Sequence, residues 1–443
     1  MVSGGLAVLY LIAAVFIIIF FTSKFKMNAF VVLLLVAFLY GLFVGMPLNS
    51  IIEKIRSGFG GTLGYIGIVI VAGTIIGTIL EKTGGAISMT NAILKVVGKK
   101  RSPLAMSIAG YVVSIPVFCD SGYVILTPLN KALAQKTDKS MAVMAVALAT
   151  GLYATHCLVP PTPGPIAAAG ILGAELGRVI GLGILVSIPA MIAGYLWAVL
   201  FAKKYMIKPV LEESYDTLME KYGKLPSPLI SFMPLMIPIV LILLKSLSNP
   251  KLNIIPEGGL SNILQFIGDP VTALLIGVFL ALFLVKKESL GEAVHGWMND
   301  GVKHAALILA ITGAGGAFGA ILKASPMSGF LGENMSGWNL GIFLPFIIAA
   351  ALKTAQGSST VAIITTSSIM APLMATLGLN PALTVLAIGA GSMTVSHAND
   401  SYFWVVSQFS DMEVPVAYRA YTTATLLQGI VSIIAVAVIG LFV

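Results

Sequence analysis

Charge is scarce in this sequence. Only 10% of its 443 residues are Asp, Glu, Lys or Arg, against about 25% in a typical soluble domain. A surface so poor in charge does not stay dispersed in water, which excludes a soluble globular domain. Cysteine is scarcer still. Cys119 and Cys157 stand alone and form neither a CxxC motif nor a metal-ligand cluster, so no metal site is expected. The Gly-x-x-x-x-Gly-Lys-Ser/Thr phosphate loop, the HExxH helix and the nucleophile elbow are all missing. ATP hydrolysis and those hydrolase chemistries are therefore not expected, and no cofactor is implied. The net charge of +8 comes from basic residues scattered between apolar runs. They form no stripe, so nucleic acid is not an expected partner. The first apolar run, 4–22, has no Lys or Arg before it and reads as a transmembrane helix, not a cleaved leader.

What is abundant is apolar sequence: 58% of residues, with a mean hydropathy of +0.99. A helix needs about 20 apolar residues to cross the hydrocarbon core. Full-length candidates lie near 4–22, 27–46, 61–81, 178–202, 229–247, 268–285, 304–322 and 420–443. Two more, 140–172 and 380–410, are broken in the middle. The stretches 102–135 and 338–376 carry polar residues, Asp120-Ser121-Gly122 and Gln356-Gly357-Ser358-Ser359, at their centres. A straight spanning helix would not bury these, whereas the tip of a re-entrant hairpin lining a cavity would. The expected fold is an all-α polytopic membrane protein with about ten transmembrane helices and two re-entrant hairpins. Segments 84–98 and 288–303 are expected to lie along the interface. The distribution of Lys and Arg places 203–228 in the cytoplasm and both termini outside, in an inner (plasma) membrane.

The chain also repeats itself. Residues 73–81 read GTIIGTILE and 315–323 read GGAFGAILK. Residues 150–156 read TGLYATH and 391–397 read GSMTVSH. Both pairs are offset by nearly the same distance. The expected organisation is a first repeat over 1–202, a cytoplasmic linker over 203–228 and a second repeat over 229–443. Each half has five crossings and one hairpin, and an odd count inverts the second copy. Inverted repeats with broken helices place a transporter's substrate site near the midplane.

Ionisable groups at that depth are costly and point to function. The candidate substrate-binding residues are Asp120, Ser121 and Gly122 at the first tip, with His156, Pro161, Thr162 and Gly164 around the first break. Lys353, Gln356, Gly357, Ser358, Ser359 and Thr360 make the second tip, and His397, Asn399 and Asp400 the second break. Asp120 and Asp400 are the candidate proton-coupling residues. Simpler roles remain open at this point: Asp120 and Asp400 as helix caps, and Lys353 reaching for the interface. The glycines at 73, 77, 315 and 319 are expected to mediate close helix packing.

PVFCDSGYVIL, THCLVPPTPGPIAAAG, KTAQGSSTVA and SHANDSYFW together resemble the gluconate permease (GntP) family of the ion-transporter superfamily, over nearly the whole chain. The resemblance implies proton-coupled symport of a sugar acid or small hydroxy monocarboxylate. It also implies a homodimer of the elevator type, with a scaffold and a mobile transport domain that carries both hairpins. Asp120, Thr162 and Lys353 stand where the family usually has Glu, His and Arg. The family also includes carriers of D-serine, so an amino-acid substrate or sodium coupling is the alternative. In the expected arrangement Lys353 and backbone donors hold a carboxylate. Ser121, Thr162, Ser358, Ser359 and Asn399 read hydroxyls, and Asp120 or Asp400 carries the proton.

Overall fold

The structure, a computed structural model, describes residues 1–209, 224–248, 258–327, 330 and 340–442. Among these, every regular element is helical. The first half begins with α1 (Gly4–Ser23), α2 (Ala29–Phe43), α3 (Leu48–Lys82) and α4 (Gly85–Val97). Next come α5 (Ser102–Val113), α6 (Cys119–Lys136), α7 (Met141–Leu158), α8 (Pro163–Leu172) and α9 (Leu176–Leu200). The second half has α10 (Pro228–Leu247), α11 (Gly259–Ile267), α12 (Pro270–Leu282) and α13 (Met298–Lys323). It ends with α14 (Phe343–Gln356), α15 (Ser359–Met370), α16 (Pro381–Ser392), α17 (Ser401–Phe409) and α18 (Thr423–Ile439).

Eight helices among the described residues are long and apolar enough to span a bilayer, or nine if the α11–α12 pair, bent by 66°, is one span. One of the eight, Ser359–Leu377, starts at a hairpin tip and is an arm of that hairpin. The 15-residue α2 and the broken α16–α17 pair complete the expected set.

Both hairpins form where the sequence interrupts the helix. In the first, α5 ends before Pro116, whose ring and missing N–H stop a helix, and α6 restarts at Cys119. In the second, α14 ends on Gly357 at φ +92°, and the Ser358 side chain caps α15 through Val361 N. The 12-residue α5 and 14-residue α14 rise about 18–21 Å at 1.5 Å per residue, too short for a hydrocarbon core of about 30 Å. Among the prolines at 160, 161, 163 and 165, backbone N–H groups are missing where α7 gives way to α8.

Two expectations are corrected. Residues 48–60, which lie between the expected spans 27–46 and 61–81, are the first turns of a single 35-residue α3. Residues 288–303, expected along the interface, run without a break into α13. Lys287–Lys323 is one 37-residue helical stretch, with a π-turn at Ala293–Trp297 that absorbs the register change. Helices of this length rise more than 50 Å and continue past the hydrocarbon edge, so charged residues in them do not mark loops. The other interfacial candidate, 84–98, is α4. It buries Gly85–Thr90 and packs on α5 and α10. Of the expected linker, residues 210–223 lie outside the described set. So do the first residues of the expected second hairpin, 338 and 339.

The helices sort into two packing groups. α3 lies along α13, with α2 and α12 beside them, α1 on α2, and α10 on α12. The second group holds both hairpins, both broken helices, α9 and α18. Within it α5 and α6 pack on α7, α14 on α16, α15 on α8, and α9 on α7 and α18. Lys131 of α6 pairs with Asp411 at 2.7 Å, Tyr123 hydrogen-bonds Ser410, and Tyr402 OH donates to Ala149 O at 3.1 Å. These contacts tie α7 to the start of α17 and the first hairpin to the residues just after it.

The glycine pairs lie where the groups meet. On α3, a Cβ at Gly77 would stand 2.3 Å from Pro116 O, and one at Gly73 would stand 3.3 Å from Pro161 O. On α13, Gly315 faces Ile364 and Ser368 of α15, and Gly319 faces the Ser368 backbone. Close packing was expected of these glycines; what they pack against is a hairpin or a break.

Candidate functional site

The two hairpin tips and the two breaks converge on a buried ion pair. Lys353, on the last turn of α14, is fully buried, and Asp400, the N-cap of α17, is 5% exposed. Lys353 Nζ donates to Asp400 Oδ2 at 2.5 Å and also to Gly357 O. It lies 5.7 Å from the centre of the Tyr153 ring on α7. Asp400 is equally engaged: Oδ2 accepts from Ser396 Oγ at 2.5 Å, and Oδ1 accepts from Tyr402 N at 3.1 Å. The cap and the ion pair, alternatives in the sequence, are both made by this carboxylate. Lys353 does not reach for the interface. Charges this deep persist only when paired and hydrogen-bonded, and both of these are.

The second tip is fastened to the second break. His397 Nε2 and Asn399 Nδ2 both donate to Thr354 O, at 2.9 and 2.8 Å. A Cβ at Gly357 would stand 2.1 Å from Asn399 O, so the approach needs glycine on steric grounds as well as for its positive φ. Gln356 Nε2 donates to Ser358 O at 3.0 Å.

Asp120 differs from Asp400. It lies in the first turn of α6, where the helix dipole favours an anion, and its Oδ1 is buried with no hydrogen-bond partner. It feels attraction from Lys353 and repulsion from Asp400. His156, 6% exposed, is flanked by Tyr153 (stacked, 11° between planes) and Phe118, each with ring centroids 6.3 Å away. Its Nδ1 and Asn399 Oδ1 are also buried without partners.

Some candidates lie elsewhere or are already engaged. Gly122 packs on Leu152, and Gly164 on Ile363. Thr162 Oγ1 is bonded to Val159 O at 2.6 Å. With Pro161 it lines a cleft of about 10 Å³ against Gly73 and Thr74 of α3, beside Phe118. Ser121 and Thr360 are half-buried. Sequence reasoning passed over Tyr153, Ser396 and Thr354. Ser396 sits in a motif already singled out, and Tyr153 lies three residues before His156, on the same helical face. Among the described residues no group of three or more His, Cys, Asp or Glu side chains is arranged to hold a metal ion.

The model of the GntP family permeases matches residues 6–442. The chain is 38% identical over 414 residues to an uncharacterized permease of Haemophilus influenzae, covering 90% of this chain and 84% of that one. It is 34% identical to the D-serine transporter DsdX of Escherichia coli K12, with 96% of each covered. It is 33% identical to the high-affinity gluconate transporter of the same organism, with 95% of each covered. Among solved structures it resembles the YdaH transporter of Alcanivorax borkumensis, with a TM-score of 0.66 over 93% of this chain and 98% of that one. At 16% identity, that likeness concerns the fold alone.

Proposed function

The chain belongs to the GntP family of permeases, and on that premise we propose that it imports a small hydroxy monocarboxylate, a sugar acid of the gluconate or glycerate kind, together with a proton. It is a multi-pass membrane transporter, not an enzyme. The proposed proton carrier is Asp120, because its buried Oδ1 has no partner while both oxygens of Asp400 are occupied. An ionised Asp120 and a substrate anion repel each other strongly in a low-dielectric site. Protonating Asp120 removes that repulsion and supplies an O–H donor, so anion and proton enter together. Taken one to one, the cargo is electroneutral.

Lys353 is the proposed seat of the substrate carboxylate, reached as the second tip opens from Asn399 and His397. Ser358, Ser359, Asn399 and the free His156 Nδ1 face the hydroxyls. The recurring element order supports reading 1–202 and 229–443 as inverted repeats joined through 203–228. The two packing groups fit a scaffold of α1–α3 and α10–α13 and an elevator body carrying both hairpins. A homodimer in the inner membrane, with both termini outside, completes the proposal.

A D-serine-like substrate is the second reading, favoured by one observation. With Lys353 already balanced by Asp400, the unpartnered Asp120 can accept an ammonium group. Proteoliposomes charged in turn with labelled gluconate, glycerate and D-serine separate the two. For the carried substrate, Asp120→Asn is expected to keep exchange between equilibrated compartments and to lose uphill uptake. Concentrative uptake by Asp120→Asn with unchanged pH dependence would remove Asp120 from the coupling.

A further inference from the structure

Lys353 has three stabilising neighbours, and one of them, Asp400 on the second break, is the partner it gives up when the substrate carboxylate arrives. The Gly357 carbonyl lies four residues on in the same hairpin tip and moves with Lys353. The third is the face of Tyr153, 5.7 Å from Nζ to the ring centre, on the first broken helix. That ring is rigidly held. Tyr153 is 1% exposed, packs at 5.3 Å on Tyr402 and at 6.3 Å on His156, and its hydroxyl reaches Ser392 O at 3.4 Å. A desolvated ammonium over an aromatic face is attracted by the ring quadrupole, and the attraction needs no counter-charge.

We propose that Tyr153 is the positioning residue for Lys353: its ring holds the ammonium in place while the lysine passes from Asp400 to the carboxylate of the substrate. The inference rests on the transport reading above, in which Lys353 receives that carboxylate. Without the ring, a lysine released from Asp400 would keep only the Gly357 carbonyl of its own tip, and its long chain would sample more rotamers before meeting the anion. With the ring, the ammonium stays at one depth while its carboxylate partner changes. Tyr153 does not touch the substrate; it acts through Lys353.

The test keeps the shape of the ring and removes its charge. Position 153 is replaced by phenylalanine, then by phenylalanine bearing one, two and three ring fluorines, each of which withdraws electron density from the face. Uptake of labelled gluconate, glycerate and D-serine into proteoliposomes gives the half-saturating concentration for whichever is carried. It is expected to rise stepwise along the series, by roughly tenfold from phenylalanine to the trifluorinated ring, with the maximal rate changing less. A flat series overturns the proposal, since packing alone would not follow fluorine number. A folded Tyr153→Phe reference that no longer transports also overturns it, because the hydroxyl would then be the working group. Thermal unfolding of the purified variants supplies a readout independent of substrate. Melting temperature is expected to fall stepwise with fluorination even if no member of the panel is carried, an outcome that would sink the transport reading alone. No trend in melting temperature would count against the ring as a seat for Lys353.

Discussion

One aspartate stands at the first hairpin tip and another at the second break, and they do opposite things. Asp400 is saturated by Lys353, Ser396 and the Tyr402 amide, while Asp120 keeps a buried oxygen free. The difference yields a stability prediction. Asp400→Asn leaves Lys353 as a buried charge without its counter-ion, and Lys353→Met does the same to Asp400. Each is expected to destabilise the protein by about 3–5 kcal/mol. The double variant is expected to recover much of that, since replacing both members of a buried pair removes both desolvation costs. Thermal unfolding in detergent, read as a double-mutant cycle, measures the coupling. Additive single losses would mean that the pair contributes no mutual stabilisation. Little of this was legible in the sequence. Both aspartates occur in polar interruptions of apolar runs, which marked them as important without distinguishing them. The partner of Asp400 lies 47 residues away on another element, a distance that no local pattern reports.

Elements were more legible than partners. Polar tips inside apolar stretches located both hairpins, because lipid does not tolerate unpaired backbone, and the proline run located the first break. Helix length was less legible. Lys54 and Arg56 resembled loop residues, yet α3 runs through them and on to Lys82, because a helix beyond the bilayer edge can carry charge at no cost. The Gly73/Gly77 and Gly315/Gly319 pairs announced close packing but not its partner. At Gly77 that partner is the backbone of the first hairpin, which cannot yield as a flexible side chain can. Gly77→Ala is therefore expected to displace the hairpin tip at a cost of about 1–3 kcal/mol, more than the roughly 1 kcal/mol that alanine gains in a helix interior. Gly60→Ala, on the same helix with nothing within 4 Å of the added methyl, is expected to stabilise. Melting temperatures of the two variants should move in opposite directions, and uptake should fall only in Gly77→Ala. A normal hairpin 1 function in Gly77→Ala would mean that the tip does not seat on α3 during transport.

At the scale of the molecule, the separation into two packing groups gives the ion-pair cluster a place in a cycle. Both tips and both breaks belong to one group, which in the proposed elevator is the unit that travels against the long helices α3 and α13. Membrane residence was evident from composition, and the repeated glycine motifs are the ground for proposing two repeats. The division into groups was not, because each contains segments of both halves of the chain. The central claim is that a proton accompanies the substrate, and it is tested most directly in proteoliposomes of the unmodified protein. With sodium absent and the membrane potential clamped at zero, an inward proton gradient is imposed and uptake of the labelled panel is followed. The predicted result is transient accumulation of one carboxylate above its external concentration, saturable and abolished by dissipating the gradient. Accumulation that requires sodium and ignores the proton gradient would contradict the account.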